Sequence, residues 1–187
     1  MPSTMMHLLA ASKTRPTGSI LFYIGNIAPD AVSNRHDKDI FHLRNLQDRL
    51  PTLISLAKNT SGDFAEGLLL HLYVDWKWDT TIMQKYINET GQGWFAQYRN
   101  ELSLAASYLF HHTDWAKKIL GDMDTLDTAC YGNTPGVSVT DVKNWVSRGN
   151  KWHNENNIGP SSVFTPDLVE NFASLVAEEY NIWRALI

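Results

Sequence analysis

The chain has 187 residues, 43% of them hydrophobic, enough to bury one well-packed core and too few to require a second domain. Its net charge of −4, from 16 basic and 20 acidic residues with no block of like sign, excludes the basic footprint that nucleic-acid binding needs. One cysteine, Cys130, excludes an internal disulfide and a cysteine-rich zinc finger.

The first residues, Met1-Pro2-Ser3-Thr4-Met5-Met6-His7-Leu8-Leu9, lack a basic stretch followed by a long apolar one, so no signal peptide is read there. No apolar run approaches the roughly 20 residues that span a bilayer, and a cytoplasmic location without an integral membrane segment is the expectation. Residues 4–11 read as a helix with Ser3 or Thr4 as N-cap, and residues 12–18, with Pro16 and Gly18, as a loop. Residues 20–27 are apolar throughout; helix is preferred to strand because no other segment offers a pairing partner. Ala28-Pro29-Asp30-Ala31 is a turn, and residues 34–39 are a polar, exposed stretch in which the contiguous His36-Asp37 reads as solvated.

Residues 41–57 carry apolar positions at helical spacing, interrupted at Pro51, with His42 near the start. After a turn at 59–62, Asp63 caps a helix whose stripe of Phe64, Leu68, His71, Leu72 and Asp75 faces the core. That helix runs on to Tyr86 or restarts after Asp79-Thr80-Thr81. Gly91 to Gly93 break the chain, and residues 94–120 read as one long helix with Phe95, Tyr98, Leu102, Ala105, Leu109 and His112 on one stripe. Residues 121–162 are rich in Gly, Asn, Asp and Pro and read as a loop-rich segment with one short helix at 140–147 and an exposed His153. Thr165-Pro166-Asp167 opens a last amphipathic helix. The expectation is an all-α, single-domain multi-helix bundle over residues 1–187.

The His71/Asp75 pair carries the chemistry. Four residues apart, an imidazole and a carboxylate share one helix face, and that face is apolar. A buried carboxylate costs several kcal/mol unless a cation or strong donors compensate, and a divalent metal suits both groups. Asp30 in the Ala-Pro-Asp turn, His42 after Lys38-Asp39-Ile40-Phe41 and His7 on the first helix are further ligand types; singly each reads as a cap or a hydrogen-bonded side chain, and beside the buried pair they become candidate ligands. The aromatics Trp76, Trp78, Trp94, Tyr108 and Trp115 fall at core spacing.

The run Phe22-Tyr23-Ile24-Gly25-Asn26-Ile27-Ala28-Pro29-Asp30-Ala31-Val32, then Lys38-Asp39 with His42-Leu43, then Phe64, Gly67 and His71-Leu72-x-x-Asp75, resembles the zinc-dependent phospholipase C family, secreted bacterial phospholipases and short bacterial proteins among them. The resemblance covers roughly the first 80 residues and implies a phospholipase C/P1 nuclease-like helical fold. It also implies that Asp30, His42, His71 and Asp75 hold one metal, with Asp75 able to bridge to a second and His7 beside it. The N-terminal tryptophan ligand of the secreted enzymes is absent, and so is their later His-x-x-x-Glu, because His111 and His112 are followed at that spacing by Trp115 and Ala116. One site is therefore expected, with a second built from His7, Asp75 and His112.

Mixed nitrogen and oxygen ligands suit zinc first, then iron, manganese or nickel. The expected activity is hydrolysis of a lipid or small-molecule phosphoester by a metal-activated water that Asp30 orients or deprotonates. The alternative is a non-catalytic helical binding protein stabilised by its metal. Gly67, one turn before His71, permits close approach of another helix or of substrate.

Overall fold

Serine, asparagine and threonine side chains cap α-helices at both ends of the described chain. In a computed structural model that describes residues 2–32 and 34–187, Ser3 caps α1 (Thr4–Thr14), Ser19 caps α2 (Ile20–Ile27) and Asn34 caps α3 (Arg35–Phe41), each accepting from a backbone N–H of the first turn. A 3-10 turn, Ala28–Ala31, follows α2. Then come α4 (Leu50–Asn59), α5 (Asp63–Trp78), a π-helical turn (Asp79–Met83), α6 (Gln84–Thr90), α7 (Trp94–His112) and α8 (Asp114–Thr125). Ser138 caps α9 (Val139–Glu155), and Thr165 with Pro166 in the first turn starts α10 (Pro166–Ala185). Among the described residues there is no strand, and no helix is long and apolar enough to cross a membrane.

Several boundaries differ from the sequence reading. The polar stretch at 34–39 is α3, and the expected helix at 41–57 is split: Leu43 adopts φ 58°, the left-handed region that stops a helix, and Pro51 sits in the first turn of α4 rather than interrupting a longer helix. Asp63 is not the cap of α5 but lies in its first turn, where its carboxylate takes Arg15 and Ser19. The helix at 94–120 breaks at Thr113, whose backbone is extended, and its expected stripe residue Phe95 is 56% exposed. The segment at 121–162 is more regular than its composition suggests, because α9 occupies seventeen residues of it. The question of continuation past α5 is answered by the π turn, through which the helix runs on into α6.

The core is organised by the crossing of α2 and α5. A Cβ on Gly25 would stand 2.0 Å from the Phe64 carbonyl oxygen, and one on Gly67 the same distance from that of Phe22, so the two backbones meet at paired glycines. Around this crossing α1 packs on α2, α5 and α10, while α9 lies against the 3-10 turn. Trp78 is fully buried and donates to the Tyr98 hydroxyl at 2.6 Å, and Phe164 and Phe172 flank its ring. Trp76, Trp94 and Trp115 pack on the same core. On the far side, buried Glu66 of α5 accepts from Tyr180 at 2.6 Å and pairs with Arg184 at 3.1 Å, which fixes α10 to α5.

Candidate metal centre

Five ligand-type side chains from four segments meet beside the α2/α5 crossing. His7 comes from α1, Asp30 from the 3-10 turn, His42 from the residue after α3, and His71 and Asp75 from α5. Asp30 is 3% exposed and the other four are fully buried. One Asp75 oxygen lies 3.3 Å from His7 Nε2; the other lies 3.6 Å from His42 Nε2 and 3.7 Å from His71 Nε2. His42 Nε2 is also 3.8 Å from Asp30. The His7 and His71 rings stack at 3.9 Å. Two trios have donor atoms within 4.8 Å of one another: His7, His71 and Asp75, and Asp30, His42 and His71.

The local backbone sets the histidine tautomers. His71 Nδ1 donates to the Asn26 carbonyl at 2.7 Å, a carbonyl near the C-terminus of α2 that the glycine crossing brings within reach. His42 Nδ1 donates to the Lys38 carbonyl at 2.6 Å, one turn back on α3. With the proton on Nδ1, each ring turns an Nε2 lone pair inward, the arrangement that metal-ligating histidines adopt. The Asn26 side-chain amide, in the orientation that satisfies both its ends, donates to the His7 carbonyl at 2.8 Å and accepts from the His71 N–H at 3.3 Å, tying α1 and α5 together at the site.

What points inward has no hydrogen-bond partner among the described residues. Both ring nitrogens of His7, the Nε2 atoms of His42 and His71, and both oxygens of Asp75 are buried in this condition. An unpaired buried polar atom costs about 1–3 kcal/mol, and a charged one more. A single divalent cation satisfies several of these atoms at once, and three imidazoles with two carboxylates are a donor set that fits one.

Electrostatics favour the ligating forms. Burial holds the pKa of His42 and His71 below the usual histidine value, against the pull of the nearby carboxylates, so both rings stay neutral. Burial by itself would raise that of Asp30, but the Lys38 ammonium beside it opposes burial and holds it below the ordinary carboxylate range. The Lys38 ammonium is 2.9 Å from Asp30 Oδ1. Arg44 makes a two-pronged contact with Asp79 at 2.9 and 3.1 Å and stands 3.9 Å from Asp75, while Arg49 reaches Asp79 at 3.0 Å. The carboxylates Asp30, Asp75 and Asp79 are thus matched by Lys38, Arg44 and Arg49, and Asp39, 47% exposed, lies 3.9 Å from Arg44 on the solvent side.

His112 is brought elsewhere. It is exposed at the last residue of α7, its Nδ1 donates to the Tyr108 carbonyl at 2.9 Å and its ring stacks on Tyr108. The buried face of α7 has turned to Ala106 and Phe110 by then, so the stripe that suggested His112 has rotated away. A second site built with His112 is therefore corrected. His153, expected to be exposed, is buried against Phe110, and His36 and Asp37 are exposed as expected. Gly67 does serve close approach, by α2. Sequence reasoning missed Arg44, Arg49 and Asp79, and took Lys38 only as part of a motif; the one available signal was Lys38 lying one helical turn before His42. Comparison with protein-family models, with curated proteins and with solved structures finds no match to this chain.

Proposed function

We propose that this protein is a metal-dependent hydrolase of phosphoesters, with zinc as the first candidate and iron, manganese or nickel as the others. The observation that carries the reading is the convergence of buried, unpartnered His and Asp donors with Lys38 and Arg44 beside them. A site meant only to hold a cation gains nothing from two further cations, whereas a phosphoryl group is recognised by them. The three inner carboxylates are already balanced by three cationic side chains, so a bound divalent ion leaves a positive excess that an anionic substrate neutralises. The likeness of residues 22–75 to zinc-dependent phospholipases C agrees with this reading.

The bound ion would supply Lewis acidity and bring the pKa of a water toward neutrality. His42 and His71, oriented by the Lys38 and Asn26 carbonyls, hold it; Asp75 presents one oxygen toward His7 and the other toward His42 and His71. Asp30, steadied by Lys38, would be a further ligand and could orient or deprotonate a water held there. Arg44, positioned by Asp79, faces charge that develops on the phosphoryl oxygens. The test is metal analysis of purified protein followed by turnover on a panel of phosphomonoesters and phosphodiesters. The reading expects about one ion per chain and an activity that chelator and Asp75→Ala both abolish; bound metal with no turnover on any ester overturns it.

The near-complete burial of the five donors favours a second reading, a metal-stabilised helical protein without catalysis. That reading expects the same metal content, no turnover, and an ion that exchanges only when the fold opens.

A further inference from the structure

The five donors are 0–3% exposed, so an ion reaches them only when part of the surrounding chain moves aside. His7, His71 and Asp75 stand on helices whose neighbouring side chains are core, Met6 and Leu8 beside the first, Leu70, Leu72 and Val74 beside the other two. All four residues of the 3-10 turn that carries Asp30 are buried. Displacing any of these elements opens the apolar core, which is costly.

His42 belongs to a different kind of chain. From Asn34 to Arg49 it is the one buried side chain among those described. The segment holds only the seven residues of α3 and the non-helical residues 42–49. Of its apolar side chains, Leu43 packs on the core and Ile40 is 46% exposed. What holds the segment down is polar. Lys38 reaches Asp30 at 2.9 Å, and His42 stands 3.8 Å from Asp30 and 3.6 Å from Asp75. Arg44 and Arg49 reach Asp79 at 2.9 and 3.0 Å. Each of these contacts sets a cation or an imidazole of the segment on a carboxylate of the body.

Lifting residues 34–49 therefore breaks ion pairs, whose groups water can solvate again, and few apolar contacts. Asp30, Asp75 and Asp79 then face the opening without Lys38, Arg44 and Arg49, and three carboxylates in a recess attract a divalent cation. Closing brings His42 back as a ligand and returns the three cationic side chains to the rim.

We infer that residues 34–49 are the entry gate of the metal centre, with Arg44 and Arg49 on Asp79 as its latch, and that the ion is enclosed when His42 returns. The inference rests on the metal-binding reading and deepens it; it holds for either proposed function, because the ion needs a route in whether or not the site turns over a substrate.

The test is stopped-flow zinc uptake by metal-free protein and zinc release to excess chelator, with bound zinc measured in each sample. The uptake rate is expected to rise with zinc and then level off at the rate of gate opening, and release to be independent of chelator concentration. Asp79→Asn, which keeps every proposed ligand, is expected to raise both the plateau and the release rate at least roughly tenfold, the effect of losing one charge-assisted hydrogen bond. Arg49→Gln is expected to act in the same direction and serves as the test should Asp79→Asn not fold. Glu66→Gln, which loosens α10 on the far side of α5, leaves both rates near those of wild type. Uptake that stays proportional to zinc without a plateau, latch variants with wild-type rates, or an equal acceleration in Glu66→Gln overturns the gate. Failure of wild type to bind zinc is a different result and overturns the metal-binding reading beneath it.

Discussion

At the His71 ring, three separate constraints act on one side chain: a helix carbonyl on Nδ1, the His7 ring on one face and the Asp75 carboxylate beyond Nε2. On the proposed reading this ring ligates the ion, and His71→Ala is expected to lose it. In wild type, zinc at about 100 times its dissociation constant adds about 2.7 kcal/mol, a rise in Tm of roughly 5–10 °C for a chain of this size. In His71→Ala that rise disappears, as differential scanning calorimetry with and without chelator will show. His153 provides a pH-dependent counterpart away from the site. Burial, with His111 nearby, lowers its pKa from 6.5 to about 4. The unfolded chain therefore binds this proton first as pH falls, and the stabilising preference for neutral His153 is fully present above pH 6.5 and lost progressively toward pH 4. The loss attributable to this residue is on the order of 3 kcal/mol. Urea midpoints measured across that range should fall more steeply for wild type than for His153→Phe, which keeps the stacking on Phe110.

The α2/α5 pair is the element on which the site depends. Adding a methyl to Gly67 drives a Cβ into the Phe22 carbonyl and the Asn26 amide, which are backbone atoms and cannot step aside. Gly67→Ala is expected to cost about 3 kcal/mol or more despite the better helix propensity of alanine. Because Asn26 moves with α2, its metal affinity should fall as well, which separates this variant from a merely loosened core. Gly149 in α9 supplies the contrast, since a Cβ there meets nothing within 4 Å. Gly149→Ala is expected to gain up to about 1 kcal/mol with unchanged metal binding, by chemical denaturation and metal titration together. The Leu43 backbone matters in the same way: the left-handed residue ends α3 and sets His42 at the point where its ring turns inward.

Over the whole molecule, two kinds of cohesion divide the work. Helices α5, α7 and α10 share an apolar core, and the Glu66 clamp adds a polar tie between α5 and α10. The segment that carries α3 meets α5 through the polar groups of His42 and Arg44, both on Asp75, and Asp30 of the 3-10 turn joins it at His42. Chelation is therefore expected to leave helical circular dichroism intact while amide exchange at residues 28–44 accelerates by roughly tenfold or more, with α7 and α10 unaffected. Uniform acceleration across the chain would show that the ion holds the global fold instead.

The all-helical architecture and the inward face of α5 were legible because periodicity and capping are local: Ser3 and Thr165 start their helices in the sequence as in the structure. The segments at 34–39 and 121–162 were misread because polar composition says where a surface is, not whether it is helical, and α3 and α9 are helices with wide polar faces. The apolar face of α5 nominated His71 and Asp75, since a buried imidazole and carboxylate are costly, and the resemblance to zinc-dependent phospholipases C added Asp30, His42 and His7 to them. Their meeting, the exclusion of His112, and the arrival of Lys38, Arg44 and Asp79 around them were decided by tertiary structure. These contacts join segments tens of residues apart, and their geometry follows from one backbone crossing that no local pattern encodes.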